Sequence, residues 1–163
     1  MIHIYKGDGE GKTVASVGLC ARAIGHGWRV LFVQFLKNDA SGEIESLKRL
    51  GARTLHGSVV TGFYSEMTSE QKSIISNDYK KILDIVLRDD AQLIVLDEVL
   101  HAIYFQMIDR NQMELVLKKK SEIVLTGRNA PAWIEETADY ISITTKIKHP
   151  YDKGVKAREG IEY

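Results

Sequence analysis

The segment "IHIYKGDGEGKTVASVGLCARAIGHG" (residues 2–27) constrains this chain more than any other stretch. A short β-forming run, "IHIY" at 2–5, passes through glycines into Lys12 to Ile24, which carries Val14, Val17, Ala21 and Ile24 at helical spacing. A glycine inside an element costs roughly 0.5–1 kcal/mol relative to alanine, so Gly7, Gly9 and Gly11 imply a backbone shape with a purpose. The helical stretch stops in "GHG", whose glycines suit a helix terminus. Strand, glycine turn and helix in immediate succession open a parallel α/β sheet. Such sheets bind ligands at the carboxyl ends of their strands.

The rest of the chain keeps the alternation. Further β-rich runs are "RVLFVQFL" (29–36), "QLIVLD" (92–97), "EIVLTG" (122–127) and "YISITT" (140–145). Most of these runs are almost continuously apolar, as strands covered on both faces require. Residues 68–87 open with "TSEQ", a capping-box pattern, and continue with Ile74, Ile75, Ile82, Leu83 and Val86. Pro131 sits at a plausible first helical position for 131–138, and 111–119 reads as another short helix. Residues 52–67 read as a strand leading into a loop, and 146–163 as a tail with little periodicity. Right-handed crossovers and a mainly parallel sheet follow, in one α/β domain spanning 1–163.

Composition narrows the class. With 163 residues, 44% of them hydrophobic, the chain can build one substantial core. Lys plus Arg number 22 and Asp plus Glu number 22, so no global field favours nucleic acid or an acidic membrane. The single cysteine, Cys20, excludes an intramolecular disulfide and fits a reducing cytosol, and it reads as a core residue. No apolar run approaches the roughly 20 residues of a membrane span, and "MIHIYKG" is too short for a signal peptide. A cytoplasmic protein is expected.

The loop "KGDGEGKT" carries the chemistry. A polyphosphate needs backbone N–H groups, close backbone approach and positive charge, which glycines, the following helix N-terminus and Lys12 supply. The Thr13 hydroxyl suits Mg²⁺. The usual pattern, G-x-x-x-x-G-K-[ST], places glycine where this chain has Lys6; Gly7 stands one residue late. A second anchor is "LIVLDEVLHAI" (93–103), where a strand ends in Asp97 and Glu98. These acids either approach the metal bound to the phosphates or cap the next helix, whose N-terminus favours negative charge. Glu98 is the first choice of ligand and Asp97 the second. No Cys/His cluster offers a zinc site.

Beyond single motifs, "GDGEGKT" (7–13) with its late first glycine resembles the loop of the ATP:corrinoid adenosyltransferases of the cobalamin pathway. So do "ARAIGHG" (21–27) before "VLFVQFLK" (30–37), "VLDEVLHAI" (95–103), "LTGR" (125–128) and "KHPYDKGVKAREGIEY" (148–163), in family order. The resemblance implies a three-layer P-loop NTPase-like (RecA-like) fold. It implies transfer of the 5′-deoxyadenosyl group of ATP to a corrinoid Co(I), with release of triphosphate. The corrinoid supplies the nucleophile, so no Ser–His or Cys–His dyad is needed.

The same resemblance assigns the nucleotide loop to Gly7, Asp8, Gly9, Glu10, Gly11, Lys12 and Thr13, with Lys12 and Arg128 catalytic against the triphosphate. Arg22 is either a nucleotide contact or a solvated helix charge. Phe63 is either a corrinoid neighbour or a hydrophobic loop anchor, and here Tyr64 follows it at once. Lys148 belongs to a basic tail with Lys146, Lys153, Lys156 and Arg158 that meets the triphosphate or stays hydrated. His149 has a phosphate reading and a structural one; His101 and Trp133 read as packing residues. Expected partners are a flavoprotein reductant and a second copy in a homodimer, without nucleic acid or membrane. Some family members cover the site with an extra N-terminal segment. This sequence begins at its first strand, which leaves closure to the tail or a neighbouring subunit. A different P-loop ATPase or small-molecule kinase, or a nucleotide-binding module without turnover, are the competing readings.

Overall fold

A computed structural model describes residues 1–37, 41–58 and 67–162. In chain order the elements are β1 (Ile2–Gly7), α1 (Lys12–Gly25), β2 (Val30–Gln34), α2 (Gly42–Leu50), β3 (Arg53–His56) and α3 (Ser69–Arg88). They continue with β4 (Leu93–Asp97), α4 (Val99–Tyr104), α5 (Arg110–Leu117), β5 (Glu122–Gly127), α6 (Ala132–Glu135) and β6 (Tyr140–Thr144). A single 3₁₀ turn, Pro150–Lys153, interrupts the tail.

The strands form one sheet in the order β3-β2-β4-β5-β1-β6, and every pairing is parallel. Successive residues of a strand face opposite sides, and β2 divides accordingly. Leu31 and Val33 join a core with Tyr79, Leu83, Leu100 and Met113 from α3, α4 and α5. Val30 and Phe32 join a second core with Cys20 of α1 and Ile44 and Leu47 of α2. Helices therefore cover both faces, giving the expected three-layer, P-loop NTPase-like arrangement. The near-continuous apolar runs of β2, β4 and β5 are buried for that reason.

Local chemistry sets the helix ends. Thr68 and Gln71 form the full capping box at the start of α3. After α1, the amide of Gly27 donates to Ile24 O with its φ at 75°. The helix expected over 131–138 is shorter. Pro131 stays extended as the N-cap, and only Ala132–Glu135 are helical. Two helices exceed the sequence reading. In α2, Ile44, Leu47 and Leu50 recur three apart, and Glu43, Glu45, Lys48 and Arg49 match the helix dipole, so the segment carried a helical signal that the reading passed over. In α4 the helix follows directly on the acidic pair, with Glu98 itself as N-cap.

The edge strand differs from the rest. Among the described residues β6 ends the sheet, and its Tyr140, Ile141 and Ile143 are exposed. Its carboxyl end nevertheless approaches β1 closely, with Gly7 opposite Thr144.

Candidate functional site

The glycine loop leaves the carboxyl end of β1 and is built against β6. At Gly7 φ is 123°, and a Cβ there would lie 2.1 Å from the Thr144 carbonyl oxygen. The Gly7 amide donates to Arg128 O and the Gly9 amide to Thr144 O, both at 3.0 Å. These two amides, expected to face a phosphate, are thus committed to protein carbonyls. Asp8 accepts the Lys146 amide at 3.1 Å, and Glu10 pairs with His149 at 3.1 Å. The first half of the loop is held to β6 and the tail.

The second half is open. Gly11 has φ 99° with nothing within 4 Å of a built Cβ. It begins α1 without any side-chain cap, so the first-turn N–H groups are available to an anion. Lys12 Nζ donates to Gly9 O at 2.6 Å, folded back over the loop.

Thr13 ties this half to β4. Its hydroxyl donates to Asp97 Oδ1 at 2.9 Å. Asp97 is fully buried, which would cost an unpaired carboxylate several kcal/mol. Four donors offset that cost. Thr126 donates to Oδ1 at 2.7 Å, Lys37 Nζ to Oδ2 at 3.0 Å, and Gln34 Nε2 to Oδ2 at 3.3 Å, besides Thr13. Strand pairing explains the meeting, since Gln34 lies opposite Asp97 in the β2–β4 register. Gln34 Nε2 also reaches Glu43 at 3.0 Å, while its buried Oε1 has no donor among the described residues.

Glu98 adopts φ 59°, a left-handed conformation that costs a non-glycine residue on the order of 1–2 kcal/mol. Its amide donates to the Thr126 hydroxyl at 2.8 Å, which fixes the turn. Its Oε2 meets His101 Nδ1 at 2.6 Å. Burial pushes the Glu98 carboxyl up. The His101 hydrogen bond and the charges of His101, Lys37 and Lys12 outweigh burial and hold it below the usual carboxylate range. His101 is therefore a partner of the acid rather than the packing residue its apolar neighbours suggested. Burial disfavours the Lys37 ammonium, but Asp97, Glu43 and Glu98 together raise its pKa.

These groups border a cleft of about 470 Å³, lined by loop residues Glu10 to Val14, by Lys37, Glu43 and Glu98, and by Gly160 to Glu162 of the tail. A hollow of about 440 Å³ at the opposite, amino end of the strands is lined by Trp28, Gln92 and Lys120. Its lining also includes Asp90, Lys119 and Glu122, and both acids are paired, Asp90 with Arg29 and Arg53 and Glu122 with His3. Lys119 is engaged with the carbonyls of Leu87 and Asp89.

Of the other sequence candidates, Arg128 lies exposed at the carboxyl end of β5, next to the loop whose Gly7 amide it accepts. Arg22 sits in the last turn of α1, beside Leu19, His26 and Trp28. Ten residues of helix place it roughly 15 Å along α1 from Lys12. It does not border the cleft. Lys148 is exposed, and in the same tail Lys146 pairs with Asp152 and Arg158 with Glu162. Phe63 lies outside the described residues. Cys20 is buried with its thiol pushed up to about 12, chiefly by burial, so it stays protonated in the core. Trp133 packs against the core as expected, under the Arg110 guanidinium. Lys37, Gln34 and Thr126 were missed by sequence reasoning. Gln34, a polar residue inside an apolar strand, was the readable signal.

Among the described residues no group of three or more His, Cys, Asp or Glu side chains is placed to hold a metal. The oxygen set of Thr13, Asp97 and Glu98 nevertheless suits a hard cation completed by phosphate. The Lys37 ammonium already sits among these oxygens as a cationic stand-in.

Comparison with known proteins adds an independent finding. The sequence profile of the family described as ATP:corrinoid adenosyltransferase BtuR/CobO/CobP matches residues 1–163. A corrinoid adenosyltransferase of Pseudomonas aeruginosa is 30% identical over 98% of this chain and 82% of its own length. One from Escherichia coli K12 is 30% identical over 100% of this chain and 85% of its own. The Salmonella typhimurium corrinoid adenosyltransferase CobA is 31% identical over 100% of this chain and 85% of its own.

Proposed function

Because this chain belongs to the ATP:corrinoid adenosyltransferase family, we propose that it transfers the 5′-deoxyadenosyl group of ATP to the Co(I) centre of a corrinoid. The Co(I) electron pair attacks C5′, the C5′–O bond breaks, and inorganic triphosphate leaves with that bonding pair. The protein's task is to place C5′ and to neutralise the leaving group.

The observation that carries this assignment is the uncapped start of α1, with Lys12 and Thr13, facing Glu98 across one cleft. Lys12 releases Gly9 O and contacts the triphosphate, together with the first-turn amides of α1. Arg128 supplies a second cation from the β5 end, as a forked donor suited to phosphate. Glu98 and Thr13 would hold Mg²⁺, which would draw charge from the triphosphate oxygens. Asp97, whose two oxygens accept four hydrogen bonds in the free protein, orients Thr13 and is the second choice of ligand behind Glu98.

The reading extends to a cytoplasmic homodimer served by a flavoprotein that supplies the electron for Co(II) reduction. Its support is the family resemblance and the single buried cysteine. Among the described residues, no helix is long and apolar enough to cross a membrane.

The test is an optical assay of Co(I) corrinoid with MgATP, with triphosphate measured alongside. Cobalt–carbon bond formation matched by triphosphate is the expected result. ADP and phosphate with no cobalt–carbon bond would assign the cleft to an ATPase or kinase instead.

A further inference from the structure

Among the described residues, Lys37 is the lysine that joins the acidic floor to the cleft. Its Nζ lies 3.0 Å from Asp97 Oδ2, 3.2 Å from Thr13 Oγ1 and 3.7 Å from Glu43 Oε1, while its side chain remains 32% exposed toward the open space. It stands among the oxygens to which the functional proposal assigns the metal. The turn that delivers it is built. Leu36 holds the left-handed φ of 59°, and its amide donates to the hydroxyl of the fully buried Tyr79 at 3.0 Å. An ordinary surface lysine has no such anchor one residue before it.

We propose that Lys37 is a second triphosphate-binding residue, parked on Asp97 and Thr13 until a metal takes its place. Two cations do not share this pocket of oxygens at close range, since their repulsion is weakly screened in a partly buried site. The Lys37 ammonium would yield these oxygens when Mg²⁺ arrives with ATP. The Lys37 stem is flexible over four carbons, so the charge swings into the same cleft that Lys12 borders. The triphosphate then lies between two lysines, one from the α1 start and one from the β2–α2 connection. Each draws leaving-group charge from its own side. The free protein meanwhile keeps Asp97 neutralised, so the floor is preformed before substrate arrives.

This inference rests on the loop reading above, and the experiment separates the two. Binding of inorganic tripolyphosphate without metal, and of Mg²⁺ alone, is measured by calorimetry for the wild type, Lys37→Gln, Lys37→Arg and Lys12→Ala. Lys37→Gln retains a donor for Asp97, which favours folding, and thermal unfolding of each variant is recorded first. Parking predicts opposite signs for the two ligands. Lys37→Gln weakens tripolyphosphate binding about tenfold or more, as loss of a charge-assisted contact does, and tightens Mg²⁺ binding by about tenfold. Lys37→Arg keeps tripolyphosphate affinity within about threefold of wild type. A merely structural lysine would weaken both ligands or neither, and either outcome in Lys37→Gln overturns the proposal. If Lys12→Ala weakens tripolyphosphate while Lys37→Gln does not, the loop reading stands and this inference falls alone. If neither variant weakens it, or the wild type fails to bind it, both fall.

Discussion

The two halves of the glycine loop do different work. From Gly7 to Glu10 the loop is tied to the protein, with the Gly7 and Gly9 amides on Arg128 and Thr144 carbonyls and the Asp8 and Glu10 carboxylates on the tail. From Gly11 to Thr13 the backbone opens at an uncapped helix start and the side chains face the acidic end of β4. Glycines that look equivalent in sequence therefore answer to different needs. The first pair lets two backbones touch, and the third leaves room for a ligand. This accounts for the late first glycine, because position 7 is where the chain passes the Thr144 carbonyl.

The contrast breaks most visibly at Lys12. Lys12→Ala is expected to lower adenosyl transfer by roughly 10²–10³-fold, the size of losing one transition-state charge contact, with a nearly unchanged unfolding midpoint. Near-normal turnover would remove the second half from the chemistry. Next in size comes Gly7→Ala. A methyl at 2.1 Å from a backbone oxygen, at φ 123°, forces β1 and β6 apart and costs about 3 kcal/mol of stability, read by denaturant unfolding. Gly11→Ala meets nothing within 4 Å and costs only the left-handed strain, about 1–2 kcal/mol. Equal losses at the two positions would erase the distinction drawn between them.

A smaller effect sharpens the picture behind the open half, where Tyr79 anchors the turn that carries Lys37. Burial pushes the Tyr79 hydroxyl up to about 12 from 10.0, against the opposing Leu36 amide bond. A group with a raised folded-state value contributes stability that is complete below its unfolded value and lost as pH rises through the folded one. Unfolding free energy is thus expected to fall between pH 10 and 12, in the window these two values define. Tyr79→Phe removes this group's share of the alkaline loss while costing about 1 kcal/mol at neutral pH from the orphaned Leu36 amide. An unchanged alkaline slope would contradict the assignment. Smallest is Glu10→Gln, which breaks the His149 pair. Glu10 is 75% exposed, so stability is expected to change by less than about 0.5 kcal/mol.

Much of this architecture was legible because its signals are local. Apolar runs mark β2, β4 and β5, a capping box opens α3, and the order of strand, loop and Lys12-Thr13 locates the cleft. What escaped is non-local or short. Asp97 draws its donors from α1, β2, β5 and the residue Lys37, and only the strand order brings them together. Helix α2 is only nine residues long, and although Ile44, Leu47 and Leu50 mark its period, nothing local shows that it contributes Glu43 to the floor. The left-handed turn at Glu98, which swings His101 onto its carboxylate, leaves no mark in sequence because glutamate seldom adopts it. Arg22 sits on a helix that starts at the loop, but only geometry reveals how far its last turn lies from the cleft.

Determining the structure of the protein with ATP and Mg²⁺, or with inorganic triphosphate, addresses the central assignment most directly. The account predicts polyphosphate oxygens on the amides of residues 11–13 and on Lys12, with the metal between Thr13 and Glu98. Polyphosphate bound elsewhere, with this turn still folded onto Gly9 and facing solvent, would contradict it.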